Sequence, residues 1–231
     1  MSRQYRYEIK FVVNDVRLSE FVSWLWTATS MRESYPDRVI NSLYFDDLKF
    51  NAVRENIAGL PNREKFRFRW YSRGNNNVVV SPRLEKKVRE GRLGYKETQM
   101  LPHLENDFLK QDVAYLKNAS MEQFARLGLF ESSLKGDIFP ALHVNYKRKY
   151  LQDADDIRIT IDSDIQFHHV NSCERLFQSN PLSWDKRVIE IKFNPDLKNK
   201  VADLIRPLHL VPQRCSKYLQ GMACSGVVKY I

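Results

Sequence analysis

Cationic side chains occupy every second position from residue 63 to residue 69, and aromatic side chains fill most of the positions between them. Because successive side chains of a β-strand point to opposite sides of the sheet, this alternation predicts a strand with one basic face and one apolar face. Arginine forks bind phosphate oxygens in pairs and lysines supply compact positive charges, so the basic face suits a polyanion. The basic face comprises Arg63, Lys65, Arg67, Arg69 and Tyr71, and the opposite face comprises Glu64, Phe66, Phe68 and Trp70.

The same alternation recurs in other segments and predicts a sheet with several charged strands. The next run places Arg83, Glu85, Lys87 and Arg89 on one face. Further predicted strands cover residues 5–13, 39–46, 140–151, 157–165 and 187–193. In the 140–151 segment the alternation of charged and apolar residues is less regular, so either face could point inward. Several strands that each carry a charged face are able to close into a barrel with a charged lumen, and strands together with helices indicate the α+β class.

Helical spacing of apolar residues predicts helices on the outside of this barrel. One follows Asn14 or Asp15 as N-cap, and the others cover about residues 50–56, 104–129, 197–208 and 215–225. Residues 74–77 are predicted to form a hairpin connection. Pro82 is predicted to lie at a bulge or an irregular edge, and residues 91–99 form an exposed turn or a mobile basic loop. His168 and His169 are predicted to be a loop pair. Because the chain has no long linker, we expect a single domain over residues 1–231.

The overall charge favours an anionic partner. The chain of 231 residues carries a formal net charge of +9, with a sequence pI of about 9.4, and 43% of its residues are hydrophobic. Three cysteines without C-x-x-C spacing support neither a disulfide framework nor a zinc site. The N-terminus has no apolar signal core and no run reaches the ~18 apolar residues of a membrane-spanning helix, so we expect a soluble, cytoplasmic protein.

Short motifs occur in a characteristic order along nearly the whole chain. They are Glu8-Ile9-Lys10-Phe11, Ser42-Leu43-Tyr44-Phe45-Asp46, Leu60-Pro61-Asn62-Arg63-Glu64-Lys65, Arg67-x-Arg69-Trp70-Tyr71, Leu84-Glu85-Lys86-Lys87, Tyr146-Lys147-Arg148, Ile157-Arg158-Ile159-Thr160-Ile161-Asp162, Glu190-Ile191-Lys192-Phe193 and Ser216-Lys217-Tyr218. This ordered set resembles the VTC domain, the polyphosphate polymerase branch of the CYTH-like or triphosphate tunnel metalloenzyme superfamily. Each motif alone is a weak signal, and their order is a strong one.

The resemblance implies an antiparallel β-barrel tunnel with helices packed outside. Such a tunnel binds a triphosphate with basic side chains and a divalent metal with acidic ones. The implied catalytic phosphate ligands are Lys10, Arg67, Arg69, Lys87, Arg148 and Arg158. The implied substrate-binding residues are Lys65, Lys192, Lys217 and Tyr44, with Lys96 as a further loop lysine. Glu190 is the implied metal ligand and Glu8 assists it. Carboxylate and phosphate oxygens suit Mn²⁺ or Mg²⁺.

The implied activity is the metal-dependent transfer of the γ-phosphate of ATP to a growing polyphosphate chain. Two alternatives share the same fold: a triphosphatase, in which Glu8 or Glu85 would activate water, and a polyphosphate-binding module without turnover. A nucleic-acid-binding barrel is disfavoured, because Phe66, Phe68 and Trp70 lie opposite the arginines and stacking would not share a surface with phosphate contacts. The expected partners are ATP and polyphosphate or another triphosphate. Relatives in this family often work beside membrane proteins, so a membrane-protein partner is also considered.

Overall fold

The computed structural model describes residues 6–73, 78–91, 93–101, 112–126, 138–170 and 180–228. Its strands are β1 (Tyr7–Val13), β2 (Arg32–Asp47), β3 (Asn62–Arg73), β4 (Val78–Glu90), β5 (Leu93–Met100), β6 (Ile138–Gln152), β7 (Arg158–His169), β8 (Leu182–Trp184) and β9 (Arg187–Phe193). Its helices are α1 (Asp15–Ala28), α2 (Asn51–Ile57), α3 (Val113–Arg126), α4 (Lys198–Ile205) and α5 (Lys217–Cys224). None of the helices in these ranges is long and apolar enough to cross a membrane.

The strands form a large sheet that is not closed into a barrel. Their order is β1-β9-β7-β6-β2-β3-β4-β5, and β8 pairs with β7. The prediction of antiparallel strands is confirmed for the β1–β9, β7–β9, β2–β3, β3–β4 and β4–β5 pairs. The prediction of closure is wrong, because within the described ranges β1 pairs only with β9 and β5 only with β4. The backbone N–H of Gln213 donates to the carbonyl oxygen of Lys10 at 2.8 Å, so a non-strand segment contacts the free edge of β1.

Two compact units divide the chain, and the first comprises Met1–Arg38, Tyr146–Ile165 and Trp184–Ser216. Helix α1 begins after Asn14, whose side chain accepts from the Arg17 N–H at 3.0 Å, as predicted from the capping pattern. The helix buries Phe21 and Leu25 against the apolar face of the unit's strands. The strand residues of this core are Phe11, Val13, Leu151, Ile159, Ile161, Ile189, Ile191 and Phe193. The opposite face of the same strands carries the charged side chains.

The second unit comprises Val39–Asn145, Gln166–Ser183 and Lys217–Ile231. Its core contains Leu43, Phe45, Phe66, Phe68, Trp70 and Leu84, together with Val113 and Leu116 of α3. The predicted bulge at Pro82 is confirmed: the β3–β4 register shifts between Arg69 and Tyr71, and Ser81 has a φ of 52°. The burial of Phe66, Phe68 and Trp70 confirms the predicted alternation along β3.

Helix α5 lies on the charged face of the second unit, although the sequence predicted helices on the outside only. The Tyr218 ring stacks on the Tyr44 ring with centroids 5.0 Å apart, and Tyr44 in turn contacts Arg67. Gly221 permits this close packing, because an added Cβ would lie 2.4 Å from Leu142 Cδ2 and 2.6 Å from Phe167 Cδ1. Sequence periodicity reports which face of a helix is apolar but not which side of a sheet receives it.

Three predicted segments differ from the structure in type or in extent. The segment predicted as an exposed turn or loop at 91–99 is mostly strand β5, which pairs with β4 from Arg83 to Glu90. The predicted loop pair His168-His169 belongs to β7, and β2 begins seven residues before the predicted start at residue 39. The predicted helix at 104–129 is confirmed over Val113–Arg126. Residues 104–111 and 127–129 of that segment fall outside the described residues, as do the predicted hairpin at 74–77 and Cys173.

Candidate functional site

Four cationic side chains surround the carboxylate of Glu85 in the second unit. Antiparallel pairing of β3 with β4 sets Arg67 opposite Glu85, and pairing of β4 with β5 brings Lys96 close. The Glu85 oxygens lie 2.5 Å from Arg67 Nε, 2.7 Å from Lys96 Nζ, 3.2 Å from Arg83 Nε and 3.7 Å from Arg69 Nη1. We call Glu85, Arg67, Arg69, Arg83 and Lys96 the Glu85 cluster.

The Glu85 cluster has a large excess of positive charge in a mostly buried position. Glu85 has no exposed surface, and the side chains of Arg67 and Arg69 are 18% and 8% exposed. Burial alone would raise the pKa of the Glu85 carboxyl, but Arg67 and Arg69 outweigh it and hold the pKa far below its ordinary value. Burial also lowers the pKa of Lys96, against the attraction of Glu85. Within the cluster, four cationic side chains contact one carboxylate, and this excess of positive charge favours an anionic ligand.

Hydroxyl groups orient the arginines of the Glu85 cluster. Arg67 Nη1 donates to the Tyr44 hydroxyl at 3.3 Å, and Arg69 Nε donates to Ser42 Oγ at 3.2 Å. Arg83 Nη2 donates to the Tyr71 hydroxyl, and the Arg83 guanidinium lies 4.7 Å from the centroid of that ring. Since a guanidinium binds phosphate through a rigid fork, partners that fix its orientation prepare it for the ligand.

Tyr44 stacks on Tyr218 of α5, and a hydrogen bond to Asp46 holds Tyr218 in place. The Tyr218 hydroxyl donates to Asp46 Oδ2 at 2.7 Å, and the buried Asp46 also accepts from the Ala52 N–H at 3.0 Å. Burial would raise the pKa of Tyr44, but the nearby Arg67 and Arg69 lower it. Lys65 Nζ lies 6.0 Å from the Tyr218 ring centroid, and Lys217 adds to the positive field at Tyr44. These contacts bring the predicted residues Tyr44, Lys65 and Lys217 to the same face as Arg67.

Lys87 extends this face towards solvent. The registers set Lys65 opposite Lys87 and Lys87 opposite Lys96, so three lysines form a row across β3, β4 and β5. Lys87 is exposed, whereas the neighbouring Lys86 is buried on the apolar face, where its Nζ lies 3.0 Å from Glu64 Oε1. The row of lysines therefore continues the basic surface beyond the arginines.

A second charged cluster lies in the first unit, on β1 and β9. Lys10 pairs with Glu190 and Glu8 pairs with Lys192 in the strand register. Lys10 Nζ lies 2.7 Å from Glu8 Oε1 and 3.3 Å from Glu190 Oε2, and it donates to the Cys215 carbonyl oxygen at 3.1 Å. Lys192 Nζ contacts the other oxygen of Glu190. We call Glu8, Lys10, Glu190 and Lys192 the Lys10 cluster.

The electrostatics of the Lys10 cluster suit a site for a hard cation with phosphate. Burial would lower the pKa of Lys10, but Glu190 and Glu8 raise it well above its ordinary value, so the amine stays protonated. The two carboxylates supply oxygen donors of the kind that Mg²⁺ and Mn²⁺ prefer, and Mg²⁺ sites commonly combine one or two carboxylates with substrate phosphate. Within the described part of the chain, no three acidic, histidine or cysteine side chains form a metal-binding group. Glu8 and Glu190 therefore fit a metal that takes its remaining ligands from substrate and water.

Arg148 and Arg158 each bind an aspartate on the charged face of the first unit. Arg148 forms a bidentate ion pair with Asp162, from Nε to Oδ1 at 2.5 Å and from Nη2 to Oδ2 at 2.7 Å. The Asp162 carboxylate is fully buried. This ion pair places the predicted site residue Arg148 on the charged face, a choice that the mixed sequence pattern of β6 left open. Arg158 is half exposed, and its Nε lies 2.8 Å from Asp156 Oδ1 rather than in the Lys10 cluster.

The predicted site residues thus form local groups, and several contributors were missed. Arg67, Arg69 and Tyr44 come together, and so do Lys10, Glu8, Glu190 and Lys192. Arg83 and Asp162 were absent from the prediction, although each shares the parity of predicted site residues on its strand. Glu85 was considered only as a residue that activates water. The Asp46–Tyr218 bond had no local signal, because its partners lie 172 positions apart.

Comparison with protein families matches residues 5–225 to the VTC domain. Comparison with curated proteins finds no match. Among solved structures, the chain is similar to HpAC1 from Hippeastrum, a proposed adenylyl cyclase with a dominant triphosphatase activity, at 11% identity and a TM-score of 0.57, over 95% of each chain. It is also similar to the PH1819 protein of Pyrococcus horikoshii OT3, at 14% identity and a TM-score of 0.53, over 93% of this chain and 97% of that one. A proposed adenylate cyclase from Vibrio parahaemolyticus gives 10% identity and a TM-score of 0.52, over 95% of this chain and 99% of that one.

Proposed function

The chain belongs to the VTC domain family, and we propose that it is a metal-dependent polyphosphate polymerase that transfers the γ-phosphate of ATP to a growing polyphosphate chain. The observation that carries this proposal is the Glu85 cluster, in which four cations share one buried carboxylate. A triphosphate is too highly charged to be bound away from water without such compensation. The fold that the chain shares with HpAC1 and two further structures supports the proposal at the level of architecture.

In the proposed reaction, basic side chains hold the triphosphate in place and stabilise the charge that develops on it. Arg67, Arg69 and Lys87 bind phosphate oxygens on the second unit, with Lys65, Lys217 and Tyr44 beside them. Lys10, Arg148, Arg158 and Lys192 bind phosphate oxygens on the first unit. Phosphoryl transfer depends on positioning and electrostatic stabilisation more than on a side-chain nucleophile, so these roles suit the side chains present.

The bond changes of the proposed transfer need no proton from the protein. An oxygen of the terminal phosphate of the acceptor forms a bond to the γ-phosphorus, and the bond between that phosphorus and the β–γ bridging oxygen breaks. The leaving group is ADP, whose charge the nearby cations stabilise. Because Arg67 and Arg69 are already oriented by Glu85, Tyr44 and Ser42, little side-chain reorganisation accompanies the transfer.

Glu8 and Glu190 are the residues that would hold Mn²⁺ or Mg²⁺. Such a metal neutralises charge on phosphate oxygens when it is bound. Within the Lys10 cluster, Lys10 and Lys192 already pair with these two carboxylates. The lysines thus fix the positions of the two carboxylates. In the proposed reaction the same lysines also bind phosphate oxygens.

A triphosphatase is the second candidate, since the similar structure of HpAC1 belongs to a protein with a dominant triphosphatase activity. That reaction would use the same ligands with water as the acceptor, and a carboxylate would have to accept a proton from the water. Glu85 is a poor base, because its pKa is held far below the ordinary value and its oxygens are occupied by cations. Glu8 therefore remains the carboxylate for this role.

The products formed from ATP and Mn²⁺ distinguish the candidates. Purified protein is incubated with both, and the products are resolved by gel electrophoresis and phosphorus NMR. Phosphate polymer together with ADP is expected for the proposed polymerase. Orthophosphate without polymer would instead identify a triphosphatase. Tight binding of polyphosphate with no turnover would identify a binding module, and omission of Mn²⁺ controls for metal dependence.

A further inference from the structure

Two tyrosines and an arginine form an aromatic group in the first unit, in which Tyr35 is exposed and Arg38 and Tyr150 are half-buried. The rings of Tyr35 on β2 and Tyr150 on β6 meet edge to face, with centroids 5.7 Å apart. The Arg38 guanidinium lies 5.1 Å from the Tyr35 ring centroid and 5.8 Å from that of Tyr150. Tyr35 is 54% exposed, which is high for a large aromatic residue in a strand. We call Tyr35, Arg38 and Tyr150 the tyrosine platform.

Tyr150 lies on the charged face of the first unit, and Tyr35 and Arg38 contact its ring. Tyr150 follows Arg148 by two positions on β6, so both side chains leave the strand on the same side, about 6.8 Å apart along it. Leu151, between Tyr150 and Gln152, points the other way and is buried in the apolar core with Ile159 and Ile161. Arg148 is bonded to Asp162 on the charged face. The platform therefore adjoins one of the proposed phosphate ligands within the same unit.

The chemistry of this group matches a nucleobase better than it matches phosphate. An exposed phenol ring offers a flat π surface, and nucleobases stack on such rings with little dependence on sequence because every base has a π face. Arginine next to the rings adds a planar cation that also stacks on bases. Bare inorganic phosphate has no surface for either contact. An aromatic group beside a phosphate ligand thus fits a molecule that has both a base and a phosphate chain.

We propose that Tyr35, Arg38 and Tyr150 form a nucleobase-binding site that holds the base of a nucleoside triphosphate. This inference rests on the proposed function, because it assumes that the charged face binds a triphosphate. It adds a property that the phosphate ligands cannot supply, namely a preference for nucleotide over inorganic triphosphate. A polymer of phosphate carries no base, so the platform acts on the donor ATP and not on the growing product.

The test compares the binding of ATP and of inorganic triphosphate to wild type and to Tyr35→Ala, by isothermal titration calorimetry with Mg²⁺ present. Loss of a stacking ring is expected to weaken ATP binding about tenfold or more. Binding of inorganic triphosphate is expected to stay within about twofold, because it makes no base contact. Tyr35→Trp keeps a stacking surface and is expected to retain ATP affinity. Tyr115→Ala serves as the matched control, since Tyr115 on α3 is 53% exposed and outside the platform.

Each other outcome overturns the inference in a distinguishable way. Equal weakening of both ligands by Tyr35→Ala would make the tyrosine a structural residue and remove the base site. No weakening of either ligand would likewise remove it, and both results would leave the proposed function intact. Wild-type protein that binds neither ATP nor inorganic triphosphate would overturn the proposed function as well. Circular dichroism and thermal unfolding of each variant confirm that the affinities refer to folded protein.

Discussion

Arg67 and Glu85 lie directly opposite each other on β3 and β4, with Arg67 Nε 2.5 Å from Glu85 Oε2. The carboxylate has no exposed surface and also contacts Arg83 and Lys96. One internal anion therefore orders several cations before any ligand arrives. For the proposed function, donors whose positions are already set would reduce the entropy cost of binding a phosphate chain.

Replacement of Arg67 by alanine is expected to weaken triphosphate binding while the fold is retained. Hydrogen bonds to charged groups contribute about 1.5–3 kcal/mol, which corresponds to a loss of affinity of roughly tenfold to hundredfold. Turnover with ATP should fall below detection. Calorimetry measures the affinity, and Arg89→Ala is the control, because Arg89 is an exposed cation on the adjacent strand β4. An unimpaired Arg67→Ala variant would remove this arginine from the site.

Replacement of Glu85 by glutamine is expected to destabilise the folded protein. Three arginines and a lysine lose the anion that offsets the repulsion among their positive charges. Loss of one partner in a buried ion pair costs about 3–5 kcal/mol. Urea unfolding at pH 7 measures the effect, with Glu90→Gln on the same strand as an exposed control. Inorganic triphosphate should stabilise the variant more than the wild type, since phosphate replaces the missing charge. Equal stabilisation of both would contradict the role of Glu85 as an internal anion.

Replacement of Glu190 by glutamine is expected to weaken Mn²⁺ binding in the presence of triphosphate. Even the outer partners of metal ligands contribute roughly tenfold or more to metal affinity, so loss of a ligand should cost at least as much. A titration of Mn²⁺ followed by calorimetry or by activity gives the affinity. Asp203→Asn, which changes an exposed carboxylate on α4, controls for the loss of one negative charge. An unchanged Mn²⁺ titration would exclude Glu190 as a ligand.

The buried His143 predicts acid sensitivity of the second unit. Its ring stacks on Trp70 with centroids 5.4 Å apart, and the centroids of the His143 and His168 rings are 4.9 Å apart. Burial is the larger cause and the neighbouring His168 the smaller cause that lower the pKa of His143 well below its ordinary value. The folded protein thus keeps this ring neutral, while the unfolded chain takes up a proton below about pH 6.5. The stabilising contribution is complete above that pH and is lost as the pH falls.

We expect the free energy of unfolding to fall by up to about 1.4 kcal/mol per pH unit between pH 6.5 and 5 from this proton alone. Urea unfolding across that range measures the slope. His143→Gln should reduce the slope, and His209→Gln, which changes an exposed histidine, serves as the control. Identical slopes for wild type and His143→Gln would show that the acid sensitivity has another origin.

Replacement of Gly221 by alanine is expected to destabilise the protein, although alanine usually stabilises a helix interior by about 1 kcal/mol relative to glycine. The added Cβ would meet Leu142 Cδ2 at 2.4 Å and Phe167 Cδ1 at 2.6 Å. Overpacking of this kind costs about 1–3 kcal/mol. Thermal unfolding gives the sign, and combination with Leu142→Ala should cost less than the sum of the single changes. A stabilised Gly221→Ala variant would show that α5 does not pack closely here.

Local periodicity accounts for much of what the sequence predicted correctly. The alternation from Arg63 to Tyr71 predicted which side chains share a face, and the buried ring of Trp70 and the contact between Arg67 and Glu85 agree with it. The bulge at Pro82 was also predictable, since proline cannot donate to a strand ladder. The strand β5 was missed because the two glycines and the charged residues of segment 91–99 favour a turn when that segment is taken alone.

The amino-acid sequence by itself determined the two faces of each strand, because the direction of a side chain follows from backbone geometry within a few residues. Only the tertiary structure decided that the sheet stays open, that α5 covers the charged face and that Tyr35 meets Tyr150. These features join residues that are far apart in the chain, as with Asp46 and Tyr218 across 172 positions. Such contacts depend on the entropy cost of loop closure and on the packing of whole surfaces, and a local sequence pattern predicts neither.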